Sequence, residues 1–274
     1  MTLSENPIGV FDSGIGGLTV VRQLVDLLPH ENIVYFGDTA RVPYGNKSAE
    51  VVREYAVQDA RFLLSKNVKL IVVACNTASA VAMDVVRAHS TVPTIGVIEP
   101  TAKEAARLAA SRGVGVIGTL STINSCAYTA ALKKIDSKAK VLTQACPLFV
   151  PLAEEGLFDH PATDLLAREY LSQFSGKVDV MILGCTHYPL LRGPIARAVG
   201  SEVKLIDAGE ATAKSVCELL STTKMLNPQK SKPRYEFYVS DFPQKFNEIA
   251  ERFLGRKLEF VRKVQIHPGG EIGY

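Results

Sequence analysis

Two cysteines in this chain stand in matching local contexts. Ile71-Val72-Val73-Ala74-Cys75-Asn76-Thr77 and Met181-Ile182-Leu183-Gly184-Cys185-Thr186-His187 are each an apolar run, a small residue, a cysteine and a polar pair. A thiol between a strand and the first turn of a helix meets unsatisfied N–H groups and the positive end of the helix dipole, which favour the thiolate. Asn76 and Thr77 after Cys75, and Thr186 after Cys185, are suitable capping residues. Cys126, Cys146 and Cys217 lack this context and are expected in the core. Two thiols facing one cavity could form a redox disulfide, bind zinc with His187, or act as acid and base on opposite faces of a substrate carbon. No C-x-x-C pair supports redox chemistry, and Cys185-x-His187 leaves further zinc ligands missing, so the residues favour the acid–base pair and no metal.

Other polar residues follow apolar runs in the same way. Asp12-Ser13 leads into Gly14-Ile15-Gly16-Gly17, where the glycines suggest a tight turn opening a helix. Thr19 stands where a dinucleotide fingerprint needs its last glycine, so no nicotinamide cofactor is expected. Asp12 is placed to order a substrate ammonium, to assist Cys75, or simply to cap the helix. Asn76, Thr77, Thr119 and Thr186 offer neutral donors that can hold carboxylates without a buried cation, or cap helices. His187 can share a proton with Cys185 or orient it, since imidazole titrates in the useful range.

The elements that must position these groups read as strands near Ile8–Phe11, Ile33–Phe36, Leu70–Val73, Thr94–Val97, Val114–Ile117, Val141–Thr143, Val180–Leu183 and Lys204–Ile206. None alternates with polar residues, so both faces should be buried, as in parallel sheets. Amphipathic stretches at Leu18–Leu28, Ala49–Leu64, Ala78–Ala88, Thr101–Ala110 and Ala211–Leu220 alternate with them, which predicts an α/β fold. Tyr235–Ser240, Phe242–Leu254 and Lys257–Val264 suggest a last strand, helix and strand. Cys75 and Cys185 lie 110 residues apart, Gly9 and Gly115 open similar segments 106 apart, and Pro43 and Pro151 lie 108 apart. Three similar offsets in one order predict two like α/β halves with their strand ends face to face, where open sheets bind ligands.

The chain has 274 residues, 47% of them apolar and 22% charged, with a net charge of +3. That is enough for one large or two smaller domains. The basic cluster Lys224, Lys230, Lys232 and Arg234 reads as a solvated loop, and nucleic acid is not expected as the main partner. The segment Met1–Pro7 has no basic or apolar signal region, and no apolar run reaches the roughly 18–20 residues needed to span a bilayer. With an odd number of cysteines, reduced thiols in the cytoplasm are the expectation.

Ile8–Val20, Phe36–Gly45, Ala74–Ala78 and Leu183–Pro189, continued through Gly118-Thr119 and Glu154-Glu155-Gly156, resemble in order the signatures of the bacterial glutamate racemase family, within the aspartate/glutamate racemase superfamily. The resemblance implies two pseudo-symmetric α/β domains with mainly parallel sheets and the active site between them. With the crossover signals at Pro93–Pro100 and Asp207-Ala208-Gly209, the expected domains are 1–97 plus 208–274, and 98–207. It also implies cofactor-independent interconversion of L- and D-glutamate for peptidoglycan synthesis. Cys75 would deprotonate the D form and Cys185 the L form. Asp12, His187 and Glu155 would assist, although Glu154 is equally close in sequence. Ser13, Pro43, Tyr44 and Gly45 would join the substrate pocket; for the last three a plain turn is the other reading. The resemblance leaves room for a homodimer and for a peptidoglycan precursor as allosteric effector. Two alternatives stay open: a related enzyme acting on aspartate, hydantoins or another diacid, and a non-catalytic two-lobed binding protein.

Overall fold

The structure is a computed structural model describing residues 3–258, 260–266 and 272–273. Met1 and Thr2 of the N-terminal segment, and Glu259 of the last predicted strand, lie outside the described residues.

In chain order the first part runs β1 (Ile8–Asp12), α1 (Leu18–Leu27), β2 (Ile33–Gly37), α2 (Ala49–Ser65), β3 (Leu70–Val73), α3 (Asn76–Val81), α4 (Met83–His89) and β4 (Thr94–Gly96). Then come α5 (Ile98–Leu108), β5 (Val114–Gly118), α6 (Leu120–Asn124), α7 (Ala127–Ile135), β6 (Val141–Ala145), α8 (Phe149–Glu154), α9 (Pro161–Leu171), β7 (Val180–Gly184), α10 (Arg192–Val199) and β8 (Lys204–Asp207). Next come α11 (Ala208–Thr222), β9 (Tyr235–Val239), α12 (Pro243–Leu254) and β10 (Val261–Lys263), followed by two short strands, β11 (Gln265–Ile266) and β12 (Ile272–Gly273).

Strands β1 to β10 form two parallel sheets, ordered β10-β9-β2-β1-β3-β4 and β6-β5-β7-β8, and β11 and β12 form a short antiparallel pair. The order β2-β1-β3-β4 in the first is repeated as β6-β5-β7-β8 in the second, which accounts for the similar offsets in the sequence. The inner strands carry the unbroken apolar runs because helices cover both faces. Along β1, Ile8 and Val10 join one core cluster and Phe11 the opposite one; along β7, Val180 and Ile182 alternate in the same way with Met181 and Leu183. α11 returns the chain to the first sheet, where Val216 and Leu220 share a cluster with Phe246, Ala250 and Phe253 of α12.

Several expectations are corrected. Edge strands are not buried on both faces: β6 is half-buried with Thr143 exposed, because only one neighbour and partial helix cover flank it. The predicted helix Ala78–Ala88 is two, α3 and α4, broken where Ala82 leaves helical geometry at φ −127°, ψ 0°. Pro43 and Pro151 are not equivalent: the first precedes a 3-10 turn at Tyr44–Asn46, the second lies inside α8. Cys126, expected in the core, is exposed between α6 and α7 at φ +56°. Cys146 is buried and Cys217 half-buried.

Candidate active site

In each sheet the chain steps from the central strand to one side and then to the other. β1 and β3 flank this reversal in the first sheet, β5 and β7 in the second. Such switch points open a crevice at the strand carboxyl ends. Asp12 ends β1, Cys75 follows β3, Thr119 follows β5 and Cys185 follows β7.

On the first side Cys75 itself is the N-cap of α3; its sulfur accepts from the Ala78 amide at 3.5 Å, so Asn76 and Thr77 lie in the first turn instead of capping it. Ser13 Oγ is 3.7 Å from the same sulfur. Burial pushes the Cys75 thiol up to about 12, and the charge of Asp12 adds to this; the Ala78 amide and Ser13 pull the other way and lose. This reverses the expectation that the helix terminus favours the thiolate, because desolvation of a buried thiolate outweighs one amide. Asp12 is fully buried, with Oδ2 accepting from the Gly14 amide at 3.0 Å. Burial raises its carboxyl above the usual range against the charge of His187 and the amides of Gly14 and Gly17. Among the described residues its Oδ1 has no hydrogen-bond partner.

On the second side no α-helix directly follows Cys185; Tyr188–Leu191 is a 3-10 turn with His187 before it. Cys185 Sγ is 3.8 Å from His187 Nδ1, and His187 Nε2 is 3.0 Å from Glu154 Oε1. Burial opposes charge on His187, but hydrogen bonds and charge from Cys185 and Glu154 raise it to about 10 and hold it as imidazolium. The Phe253 ring of α12 stands edge-to-face against it at 5.2 Å. Glu154, not Glu155, is therefore the carboxylate on His187. Glu154 ends α8 and Glu155 is the exposed residue after it; neighbours on a helix point about 100° apart, so both cannot reach one imidazole.

The two sides meet. The hydroxyls of Thr77 and Thr119 are 2.9 Å apart, and Thr122 lies 2.9 Å from Thr119 and 3.3 Å from Thr77. Thr19 Oγ1 donates to the Thr186 carbonyl at 2.9 Å. Gly16 lies where a Cβ would fall 2.6 Å from the His187 ring, and a Cβ at Gly45 would fall 2.8 Å from Thr119. Tyr128 of α7 donates to Asn76 Oδ1 at 2.7 Å, while Asn76 Nδ2 is buried with no partner among the described residues. Cys75 meets Ser13 at one end of the Ser13–Gly16 turn, and His187, the partner of Cys185, packs on Gly16 at the other.

Asp12, Ser13, Cys75, Asn76, Thr77, Thr119, Cys185, Thr186 and His187 are thus brought together. Pro43 is exposed and follows a cis peptide bond; Tyr44 is buried with its hydroxyl on Asp38 and Asp59. Sequence reasoning missed Gly16, Thr19, Thr122 and Tyr128. Only Thr122 carried a signal, three residues after the capping Thr119. An unpartnered buried acceptor on Asp12 and an unpartnered buried donor on Asn76 suit an ammonium and a carboxylate, the two ends of an α-amino acid.

The model of the Asp/Glu/Hydantoin racemase family matches residues 8–216, and the chain belongs to that family. Within it the similarity is to glutamate racemases. The chain is 50% identical over 262 residues to that of Syntrophus aciditrophicus, covering 95% of this chain and 97% of the relative. The crystal structure of the Francisella tularensis glutamate racemase in complex with D-glutamate superposes with a TM-score of 0.90 at 44% identity, over 96% of this chain and 98% of that one. The Escherichia coli glutamate racemase in complex with L-glutamate and the activator UDP-MurNAc-Ala superposes at 0.79 and 28% identity, over 95% and 98%.

Proposed function

We propose that this chain interconverts L- and D-glutamate by proton transfer at the α-carbon between two thiols on opposite faces. The carrying observation is that Cys75 and Cys185, from corresponding switch points of two like sheets, border the same turn: Cys75 meets Ser13, and Gly16 packs on the His187 that meets Cys185. One sulfur takes the α-proton as thiolate, leaving the electron pair on the carbon and its carboxylate; the other, as thiol, returns a proton to the opposite face. Burial raises the Cys75 thiol to about 12, which suits Cys75 to the acid in the direction where Cys185, 3.8 Å from His187 Nδ1, takes the proton. That direction consumes L-glutamate, and the reverse consumes the D form.

Asp12 Oδ1 faces the substrate ammonium, while Asn76 Nδ2 and the hydroxyls of Thr77, Thr119 and Thr186 hold its carboxylates. Ser13 attends Cys75, the Tyr44–Gly45 turn closes the pocket, and Glu154 keeps His187 charged beside Cys185. No step calls on a metal or cofactor. In this reading 1–97 with 208–274 forms one domain and 98–207 the other, and the product supplies peptidoglycan synthesis in the cytoplasm. Among the described residues no helix is long and apolar enough to cross a membrane. Homodimerisation and control by a peptidoglycan precursor extend the reading, the latter because the Escherichia coli relative is seen with such an activator. Circular dichroism of L-glutamate incubated with the pure chain, without added cofactor, tests it. The signal should decay to zero, since enantiomers have equal free energy, and Cys75→Ala or Cys185→Ala should abolish the decay. Equal rates on aspartate would overturn the assignment to glutamate.

A further inference from the structure

Between β2 and α2 a buried polar cluster lies apart from the thiols. Asp38 and Asp59 are both fully buried. Arg41 Nε donates to Asp38 Oδ2 at 2.6 Å, and its Nη2 donates to Asp59 Oδ1 at 3.0 Å. Its Nη1 donates to Gln58 Oε1, and its guanidinium lies over the Tyr55 ring at 4.1 Å. Ser240 Oγ donates to Asp38 Oδ1 at 2.9 Å. The Tyr44 hydroxyl meets both carboxyls, Asp38 Oδ2 and, at 2.9 Å, Asp59 Oδ2.

Counting protons settles the state of the cluster. A phenol has one hydrogen, so it donates to one carboxyl and must accept from the other. Both Asp38 oxygens already accept, from Arg41 and Ser240. Among the described residues Asp59 Oδ2 meets only Tyr44, so the extra proton rests there. The string reads Asp59–OH to Tyr44, Tyr44–OH to Asp38 carboxylate, with Arg41 bridging both acids. In agreement, burial and then the charge of Asp38 push the Asp59 carboxyl well above its usual range.

The cluster holds one structure, the 3-10 turn Tyr44–Asn46, whose Gly45 packs on Thr119 of the other sheet. We propose that Arg41, Asp38 and Asp59 are positioning residues for racemisation: they clamp the Tyr44–Gly45 turn against Thr119 and so fix the closed form of the substrate cleft. This rests on the reading that the turn borders the substrate.

The experiment pairs steady-state racemisation from each enantiomer with amide hydrogen exchange over residues 39–47. An amide can replace a protonated carboxyl, its oxygen accepting from Arg41 and its NH2 donating to Tyr44. Asp59→Asn is therefore expected to stay within about twofold of the unaltered chain in KM, kcat and exchange. Asp38→Asn turns a donor toward donors, and should raise KM for both enantiomers about tenfold, change kcat less than about threefold, and speed exchange in the turn. Should that variant not accumulate folded, Arg41→Lys, which cannot span both acids, carries the same expectation. Equal damage from Asp59→Asn and Asp38→Asn would overturn the proposal, as would faster exchange with unchanged KM. No turnover in the unaltered chain would instead sink the racemase reading, while the exchange contrast would still decide the clamp.

Discussion

Replacing Gly16 with alanine puts a methyl carbon 2.6 Å from both Nδ1 and Cε1 of His187, and closer still to Thr186 Oγ1. Ordinary contact between such atoms is about 3.5 Å, so the ring must withdraw by about 1 Å, or the two sheets must part by as much. His187 Nδ1 is now 3.8 Å from Cys185 Sγ. A withdrawal of that size takes the pair to about 5 Å, beyond a hydrogen bond to sulfur, and a 1 Å misplacement in a catalytic group costs on the order of 100-fold. Gly16→Ala should therefore lower kcat/KM about 100-fold, equally in both directions because the equilibrium constant is one. Gly14→Ala, in the same turn, meets only Val42 at 3.4 Å and should lose far less. Circular dichroism rates from each enantiomer, with thermal melts to show that both variants fold, give the comparison. A Gly16→Ala protein within threefold of the unaltered one would refute the reasoning.

Glu154→Gln removes one of the two groups that raise His187, so the loss of activity at high pH should begin at lower pH than in the unaltered chain, while Glu155→Gln should leave the profile in place. Iodoacetamide should modify exposed Cys126 first without loss of activity; inactivation should follow modification of Cys75 or Cys185 and be slowed by glutamate, which mass spectrometry of timed samples can establish. His187 is raised from 6.5 to about 10, so its contribution to stability is complete below pH 6.5 and disappears as pH rises through 10. Urea midpoints should fall over that interval, and His187→Gln should flatten the fall.

The strands and the paired thiols were legible because buried parallel strands need unbroken apolar runs, and because a repeated topology repeats its local pattern. Cys75 and Cys185 stood out by that repetition alone. Other features depend on packing that no short segment encodes. Adjacent Glu154 and Glu155 differ only in which way α8 turns them. Gly16 reads as a turn glycine, but its missing side chain makes room for His187 from residues 171 positions away. A helix N-terminus beside Cys75 was readable; the burial that overrides it was not, since it comes from residues distant in sequence, among them Phe11 and Tyr44, whose cluster Cys75 joins. Tyr44 was expected to join the substrate pocket; that Asp38, and Asp59 from α2, hold its hydroxyl was not legible, because those partners meet it only in the packed fold.

The central claim is that two thiols, not one, carry the proton, and isotope incorporation tests it most directly. L-Glutamate is incubated with the chain in heavy water and both enantiomers are separated at low conversion. The account predicts D-glutamate carrying one deuterium at the α-carbon, delivered by the solvent-exchanged thiol of Cys75, with the remaining L-glutamate almost unlabelled. Deuterium entering the L pool as fast as D-glutamate forms would mean that a single base removes and returns the proton, and would contradict the account.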